Sequence, residues 1–277
     1  MKIFIDSAKL NEIEEAYSCG VLDGVTTNPS LIKQAADNLK SKGEDIDMEG
    51  YTKKILIAAK GTPVSLEVTE VSYEGMVEQG KKLFEIFNPV ANNAYIKIPI
   101  NPSFEGDSGK EFEGLKAVAA LSKEGIPVNC TLIFSPEQAL MAAKAGAKFV
   151  SPFAGRVDDY IRGLNRIPFE KSDYFPAEGF FMDGELLEDN GVVSGIDLVA
   201  QIVEIFEIYD LETEVLAASI RNARQTREAA LAGADIATLP FEVIKDLFIH
   251  YKTQEGMKSF TQDIVPEYAD LIKVRVD

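Results

Sequence analysis

Short apolar, β-rich runs alternate with helical patterns along the 277-residue chain, which is the pattern of parallel β/α architecture. Eight runs predict strands, over Lys2–Asp6, Gly24–Asn28, Val64–Thr69, Ala94–Ile100, Pro127–Ile133, Phe149–Phe153, Glu214–Ser219 and Asp235–Leu239. Eight strands, each followed by a helix, favour a closed (β/α)8 barrel in a chain of this size. An open, doubly wound sheet with an appended domain is the alternative. The chain has neither a G-x-G-x-x-G after the first strand nor a P-loop, so the nucleotide-binding versions of that alternative lack support.

Capping residues and glycines mark the predicted helices. Ser135 and Pro136 predict a helix start and Gly146 its end. Further helices are predicted over Ile196–Tyr209, Asn222–Ala232 and Phe241–Thr253, the last closed by Gly256, and the tail beyond it predicts a short helix broken near Pro266. Because no Pro/Gly/Ser-rich linker divides the chain, we expect one domain over residues 1–277. It would be an α/β TIM barrel with elaborated connections and a C-terminal helical extension.

Alternate residues of a barrel strand face the barrel axis, where Val, Ile and Leu are usual. On the predicted strands, one of the two alternating sets, called the polar parity here, carries polar residues instead. This parity holds Ser65, Glu67 and Thr69 on the third strand, Lys97 on the fourth, and Asp6, Thr26, Asn28, Asn129, Thr131, Ser151 and Ser219 on the others. Taken singly, Thr26 would be an ordinary core hydroxyl and Asp6 a helix N-cap. Burying so many polar groups costs about 1–3 kcal/mol each when they are unpaired, so the set indicates a site on the barrel axis.

Lys97 stands in the middle of an apolar strand. A structural ion pair with Glu67 is the alternative explanation, but buried pairs are costly. Desolvation favours the neutral form of an amine, and a neutral buried amine is the nucleophile of Schiff-base chemistry on a carbonyl. Asp6, Glu67 and Thr131, with a bound water, could supply the acid and base groups that this chemistry needs.

Two segments indicate an anion site. Arg156 follows the sixth strand, and Ser219 and Arg221 follow the seventh, where Asn222 opens a helix. Guanidinium groups and helix N-terminal N–H groups bind phosphate, and TIM barrels often place phosphate late in the strand order. The alternative is that both arginines are surface charges paired with carboxylates.

Composition narrows the chemistry further. A net charge of −17 disfavours nucleic acid and anionic membranes as partners. The single histidine, His250, argues against metal sites with two imidazoles and against Ser-His or Cys-His pairs. Two cysteines outside any C-x-x-C pair, a charged start and short apolar runs predict a cytoplasmic location. Six of the seven arginines lie between Arg156 and Arg227, so we expect a small cationic mouth in an acidic surface.

Seven segments, in order along the chain, resemble the transaldolase family. They are Asp6–Ala8, Gly24–Leu31, Ser65–Val68, Ile96–Pro99, Val128–Ser135, Ser151–Arg156 and Ala218–Asn222. The resemblance implies a TIM-barrel enzyme of the pentose phosphate pathway that works through a lysine Schiff base, with no metal or organic cofactor. It would transfer a dihydroxyacetone unit from sedoheptulose 7-phosphate or fructose 6-phosphate to glyceraldehyde 3-phosphate or erythrose 4-phosphate.

The resemblance also implies a role for each site residue. Lys97 matches the Schiff-base lysine, and Asp6 matches the acid/base carboxylate. Glu67 and Thr131 match the residues that hold the catalytic water. The positions that bind the dihydroxyacetone part are matched by Thr26, Asn28, Asn129 and Ser151, and the phosphate site by Arg156, Ser219 and Arg221.

A smaller branch of the family acts as fructose-6-phosphate aldolases and releases free dihydroxyacetone. Those members carry Gln where this chain has Glu67 and Tyr where it has Phe153, so both residues favour a transaldolase and Phe153 joins the substrate-binding set. An enzyme acting on a modified sugar and a non-catalytic sugar-phosphate-binding barrel are further alternatives. Extra residues at Asn101–Glu113 and Arg162–Asn190 leave the natural sugars open. We expect a homo-oligomer of unspecified size.

Overall fold

Eight parallel strands close into a barrel in the computed structural model, which describes residues 1–41, 43, 47–104 and 108–273. The described residues form ten strands, two of which lie outside the barrel. In chain order they are β1 (Lys2–Asp6), β2 (Gly24–Thr26), β3 (Val64–Glu67), β4 (Ala94–Pro99), β5 (Val128–Ile133), β6 (Phe149–Pro152), β7 (Phe181–Met182), β8 (Glu185–Leu186), β9 (Glu214–Ala217) and β10 (Ile236–Leu239). β1 to β6 follow one another around the barrel, and β9 and β10 close it against β1. The predicted (β/α)8 barrel is therefore confirmed. β7 and β8 form a separate antiparallel pair.

Helices connect the barrel strands and cover the outside of the barrel. They are α1 (Leu10–Ser18), α2 (Pro29–Ser41), α3 (Met48–Ala58), α4 (Tyr73–Ala91), α5 (Glu113–Lys123), α6 (Pro136–Lys144), α7 (Ala154–Leu164), α8 (Gly195–Ile208), α9 (Ala223–Leu231), α10 (Phe241–Asp246), α11 (Tyr251–Gln262) and α12 (Pro266–Leu271). α6 begins as its sequence predicts, because the Ser135 hydroxyl accepts a hydrogen bond from the Gln138 N–H. None of the helices in the described part of the chain is both long and apolar enough to cross a membrane.

The C-terminal region differs from the sequence-based prediction. Instead of one helix up to Thr253, α10 ends at Asp246 and α11 begins after His250. The His250 Nδ1 accepts a hydrogen bond from the Lys252 N–H at 3.1 Å, so the imidazole caps a new helix that apolar periodicity could not reveal. Gly256 consequently lies inside α11, and Pro266 opens α12, where its missing N–H costs no hydrogen bond.

An aromatic layer fills the N-terminal half of the barrel. Phe4, Tyr95 and Phe149 each stand two residues before a polar site position on their strands. The Phe4 and Phe149 rings meet edge to face with centroids 6.0 Å apart, and the Tyr95 ring stacks on Phe149 at 4.9 Å. This aromatic layer closes the barrel from below, so an axial site has room only in the C-terminal half.

Gly24 lets the Phe4 ring lie across the barrel interior. A Cβ atom at position 24 would lie 2.5 Å from the Phe4 Cε2 and Cζ atoms, well inside van der Waals contact. The missing side chain on β2 is therefore part of the packing of the aromatic layer.

We expect Gly24→Ala to lower the free energy of unfolding by about 1–3 kcal/mol, because the new methyl group must displace a fully buried ring. Gly163→Ala is the control: its Cβ atom meets nothing within 4 Å, and alanine stabilises a helix by up to about 1 kcal/mol over glycine. Equilibrium urea unfolding followed by circular dichroism measures both. Equal stability of Gly24→Ala and the parent would contradict the packing described for the aromatic layer.

Candidate active site

A cavity of about 100 Å³ lies above the aromatic layer, at the C-terminal ends of the barrel strands. Its polar and aromatic lining consists of Asp6, Thr26, Asn28, Lys97, Ser151, Phe153, Arg156, Ser219 and Thr238. Most of the predicted site residues therefore lie around one cavity. Among the described residues, no group of three or more His, Cys, Asp or Glu side chains is placed to hold a metal ion.

Lys97 reaches into this cavity from β4 while only 4% of its surface is exposed. Its Nζ atom lies 3.1 Å from Glu67 Oε2 and donates a hydrogen bond to the Thr27 carbonyl oxygen at 3.3 Å. The ion pair follows from strand register, since Glu67 and Lys97 are direct partners between β3 and β4. The ion pair that the sequence raised as an alternative is thus present, but the lysine in it also lines a cavity.

Asp6, Thr26 and Thr238 form a hydrogen-bond chain along one wall. The Thr26 hydroxyl lies 2.7 Å from Asp6 Oδ1 and 2.6 Å from the Thr238 hydroxyl. A hydroxyl has one proton, so a Thr26 that donates to ionised Asp6 accepts from Thr238. Burial raises the pKa of Asp6 above its ordinary value, and the nearby positive charge of Lys97 opposes that rise.

Thr238 is a cavity residue that the sequence reasoning missed. It has the same parity as Ile236 on β10, whose side chain packs inside the barrel with Phe4 and Phe149. Strand parity applied to β10, the eighth strand of the barrel, would have predicted Thr238, as it predicted the polar residues of the other barrel strands.

A second polar network lies between β3, β5 and β6. Asn129 donates through Nδ2 to the Ser65 hydroxyl at 3.0 Å, and its Oδ1 accepts from the Ser151 hydroxyl at 2.7 Å. Ser151 lines the cavity, whereas Asn129 and Ser65 stand behind it and are completely buried. Asn129 therefore acts on the cavity through Ser151 in this structure.

Thr131 lies next to an irregularity in β5. The β5–β6 register shifts between Cys130 and Ile133, and Leu132 between them has a φ of 58°, in the left-handed region. The Thr131 hydroxyl is fully buried and has no hydrogen-bond partner in the described part of the chain. A buried hydroxyl with free donor and acceptor capacity suits the binding of a water molecule or a substrate oxygen.

Two other predicted polar residues make hydrogen bonds with helices outside the barrel. Asn28 lines the cavity, and its Oδ1 also accepts from the Leu31 N–H at the start of α2. Thr69, expected on the inner face, lies beyond the end of β3 and accepts a hydrogen bond from Gln79 of α4. Its parity no longer applies because the strand ends at Glu67.

The residues of the predicted anion site lie beyond the ends of β6 and β9. The Arg156 guanidinium lies over the Phe153 ring, with Cζ 4.9 Å from the centroid. Arg221 does not line the cavity: it binds Asp159 at 2.8 Å and the Ser219 carbonyl oxygen at 3.2 Å. The alternative of an arginine paired with a carboxylate therefore describes Arg221, whereas Arg156 lines the cavity.

Comparison with known proteins decides the family of the barrel. A family model described as "Transaldolase/Fructose-6-phosphate aldolase" matches residues 3–276. The chain belongs to this family. Its resemblance to transaldolases is thereby confirmed.

Several relatives in the transaldolase/fructose-6-phosphate aldolase family match almost end to end. The "Probable transaldolase" of Aquifex aeolicus is 40% identical over 263 residues, covering 95% of this chain and 96% of the relative. Another "Probable transaldolase", from Caldicellulosiruptor saccharolyticus, is 43% identical over 264 residues, with coverage of 95% and 96%. A solved mandelate oxidase structure superposes with a TM-score of 0.47 at 13% identity, covering 87% of this chain and 65% of its own. At that level of similarity the match says nothing about the chemistry of this family member.

A buried carboxyl lies behind the rim of the site. Asp158, on α7, accepts the Gly195 N–H on Oδ1 at 2.7 Å and the Gln225 Nε2 on Oδ2 at 2.8 Å. Burial raises the pKa of Asp158 to about 7, although the Gly195 hydrogen bond and the Arg162 charge oppose it. The sequence reasoning passed over Asp158 because only the packing of α8 and α9 on α7 buries it.

The extra segment Arg162–Asn190 packs on the outside of the barrel near this carboxyl. The Arg162 guanidinium lies between the Phe169 and Phe175 rings, about 5 Å from each centroid. Tyr174 joins the segment to α9, since its hydroxyl donates to Glu228 and the Arg224 guanidinium lies over its ring. The other extra segment includes residues 105–107, which lie outside the described residues.

The buried carboxyl predicts a pH dependence of stability. Folding raises the pKa of Asp158 from 3.8 to about 7, so between these values the native state binds more protons there than the unfolded state. This contribution to stability is complete below about pH 4 and is lost as the pH rises through about 7. We expect Asp158→Asn to flatten the fall in unfolding free energy over that range, measured by urea unfolding at a series of pH values. A slope equal to that of the parent would contradict this environment for Asp158.

Proposed function

We propose that the protein is a transaldolase that transfers a dihydroxyacetone unit between sugar phosphates through a Schiff base on Lys97. The observation that carries the proposal is the buried Lys97 amine, which is paired with Glu67 and lines one cavity together with Asp6 and Arg156. Membership of the transaldolase/fructose-6-phosphate aldolase family and the names of the relatives support it.

The first half of the proposed reaction cleaves the donor. Glu67 takes a proton from the Lys97 ammonium group, and the amine so formed attacks C2 of the ketose. Glu67 returns the proton to the carbinolamine hydroxyl, which leaves as water and gives a protonated imine. Glu67 lies 3.1 Å from the amine. Thr131, whose buried hydroxyl has no partner among the described residues, is the second residue proposed to hold that water. Asp6 then takes the proton of the C4 hydroxyl, and the electrons of the C3–C4 bond move to the imine. The aldose phosphate leaves and a three-carbon enamine stays on Lys97.

The second half builds the product by the reverse chemistry. The enamine carbon attacks the aldehyde carbon of a new aldose phosphate, and Asp6 returns its proton to the developing hydroxyl. Water then hydrolyses the imine and frees Lys97. The Thr26 and Thr238 hydroxyls hold Asp6 through this cycle, because Thr26 donates to the ionised carboxylate.

Sugar recognition follows from the lining of the cavity. Ser151 and Asn28 present hydrogen-bonding groups for the dihydroxyacetone hydroxyls. The Arg156 guanidinium and Ser219 lie at the rim, where the phosphate of an extended ketose would lie once its carbonyl reaches Lys97. Sedoheptulose 7-phosphate and fructose 6-phosphate are the expected donors, in a pentose phosphate pathway.

Assembly and location stay predictions that accompany this function. α11 buries none of its residues, and it exposes Tyr251, Met257 and Phe260. Exposed apolar side chains of this kind support the expected homo-oligomer. We also expect a cytoplasmic location and no nucleic-acid partner.

Borohydride trapping tests the Schiff base directly. Incubation with fructose 6-phosphate and sodium borohydride is expected to leave a three-carbon adduct on Lys97, because reduction makes the imine bond permanent. Peptide mass spectrometry locates the adduct. Lys97→Met is expected to form none, and Lys116→Met, which removes an exposed lysine on α5, is expected to retain it. An adduct on another lysine, or no adduct in the parent, would overturn the proposal.

An acceptor assay separates transfer from simple release. A transaldolase consumes fructose 6-phosphate at a rate that depends on erythrose 4-phosphate, because the enamine waits on Lys97 for an aldehyde. We expect acceptor to raise donor consumption at least about tenfold over the release of free dihydroxyacetone, a difference of about 1.4 kcal/mol in barrier. Consumption that is independent of acceptor, with equal release of dihydroxyacetone, would instead identify a fructose-6-phosphate aldolase.

A further inference from the structure

The Asp158 carboxyl is buried and takes no part in the chemistry proposed above. Only 4% of its surface is exposed, and both carboxyl oxygens accept hydrogen bonds from other helices. Gly195 at the start of α8 donates its N–H to Oδ1, and Gln225 of α9 donates through Nε2 to Oδ2. Asp158 thereby joins α7, α8 and α9 just behind the cavity rim.

Gln225 passes this contact on to Arg221. Its Oε1 accepts the Arg221 N–H at 2.8 Å while its Nε2 is held by Asp158. The two ends of an amide are not equivalent, so an acceptor at one end directs the amide oxygen to the other. Asp159, the next residue along α7, binds the Arg221 guanidinium at 2.8 Å. Asp158 therefore holds the Arg221 backbone through Gln225, and Asp159 holds the Arg221 side chain directly.

Close packing leaves this loop little freedom. A Cβ atom on Gly155 would lie 2.3 Å from the Ser219 carbonyl oxygen and 2.4 Å from Arg221 Nε. Ser219 itself has a φ of 60°, in the left-handed region. Since Ser219 lines the cavity, a change in the backbone at Arg221 reaches the rim directly.

We propose that Asp158 and Gln225 are positioning residues for phosphate binding, which fix the backbone at Arg221 and thereby the position of Ser219, which lines the cavity together with Arg156. The proposal rests on the proposed function in one respect, that the anion bound at this rim is the substrate's phosphate.

The ionised form of Asp158 is the one that orients Gln225 correctly. A protonated carboxyl presents an O–H towards Gln225, so the amide turns and its NH2 group faces the Arg221 N–H, where no hydrogen bond forms. The charged groups facing Asp158 are Arg162 and Asp159 on its own helix and Arg221 from the β9–α9 connection, while α8 contributes the Gly195 N–H. Because the pKa of Asp158 is raised to about 7, anion binding at the rim should weaken as the pH falls through that value.

Electrostatics alone predicts the opposite sign. Removing a negative charge near an anion site strengthens anion binding. Asp158→Asn removes the charge, and its amide also mimics the protonated acid by presenting donors to Gln225. If Asp158 positions the rim, Asp158→Asn should bind the anion more weakly than the parent. If Asp158 acts only through its charge, the variant should bind the anion more tightly.

Sulfate is the probe, because it stays a dianion over the whole range whereas a phosphate monoester titrates near pH 6. Isothermal titration calorimetry at about pH 8.5, where Asp158 is ionised, is expected to show about tenfold weaker sulfate binding in Asp158→Asn and in Gln225→Ala, the effect of one lost hydrogen bond. The double variant is expected to bind sulfate no more weakly than either single variant, since both substitutions break the same contact. The parent's affinity should fall as the pH decreases through about 7, and that fall should be absent in Asp158→Asn.

α8 offers matched controls. Asp197 Oδ2 accepts a backbone N–H, from Val193, and the Gln201 amide, both at 2.9 Å. Within the described part of the chain, these hydrogen bonds do not lead to Arg221. Asp197→Asn and Gln201→Ala are expected to bind sulfate at about pH 8.5 as the parent does. Sulfate binding in Asp158→Asn that is as tight as in the parent, or tighter, would overturn the proposal, as would a parent that binds no sulfate. If Asp158→Asn fails to fold, Gln225→Ala alone decides.

A phosphate-free reaction separates this proposal from the proposed function. Borohydride trapping of free dihydroxyacetone on Lys97 is expected to be equal in the parent and in Asp158→Asn, whereas the KM for fructose 6-phosphate rises about tenfold in the variant with little change in kcat. Absence of the adduct in the parent would reject the Schiff-base function while leaving the sulfate result to stand. A variant that loses kcat and trapping together would show a general structural role for Asp158 and overturn its assignment to phosphate binding.

Discussion

Closure of the barrel forces alternate residues of all eight strands towards one axis, and the position of the side chains at the centre of the cavity depends on that constraint. Phe4, Tyr95 and Phe149 fill the N-terminal half of the axis. Two residues further along the same strands, the axis receives Asp6, Lys97 and Ser151. A shift of one residue in any strand would exchange its polar and apolar faces, so the cavity and the hydrophobic shell specify the same register.

The polar half of the axis is stable because most of its groups bind one another. Lys97 is paired with Glu67, Thr26 with Asp6 and Thr238, and the Asn129 amide with two serines. Thr131 is the exception, since its buried hydroxyl has no partner in the described part of the chain. An unsatisfied group at this depth is costly in a resting protein and is useful where a water or substrate oxygen must bind. The Thr131 hydroxyl, unpaired among the described residues, and the buried Lys97 amine are both groups of the axis that the proposed chemistry uses.

The proposed phosphate rim is organised differently from the centre of the cavity. Side chains at the centre are placed by strand register, whereas Ser219 and Arg221 lie on a connection after β9 and depend on α7, α8 and α9 for their position. The Asp158 carboxyl and the Gln225 amide hold the loop, and Gly155, which has no side chain, lets the loop pack closely on α7. The barrel therefore combines a cavity centre that is placed by strand register with a rim that is placed by helix packing.

The sequence by itself determined the barrel and most of the cavity lining, since strand parity depends only on the order of residues. Thr238 was within reach of the same rule. Four things required the tertiary structure: the pairing of Arg221 with Asp159, the bulge beside Thr131, the separate helix capped by His250, and the burial of Asp158 beside Gln225. Each depends on contacts between elements distant in the chain or on the local path of the backbone. Periodicity describes which way a side chain points along its own strand or helix, and only packing decides what it meets there.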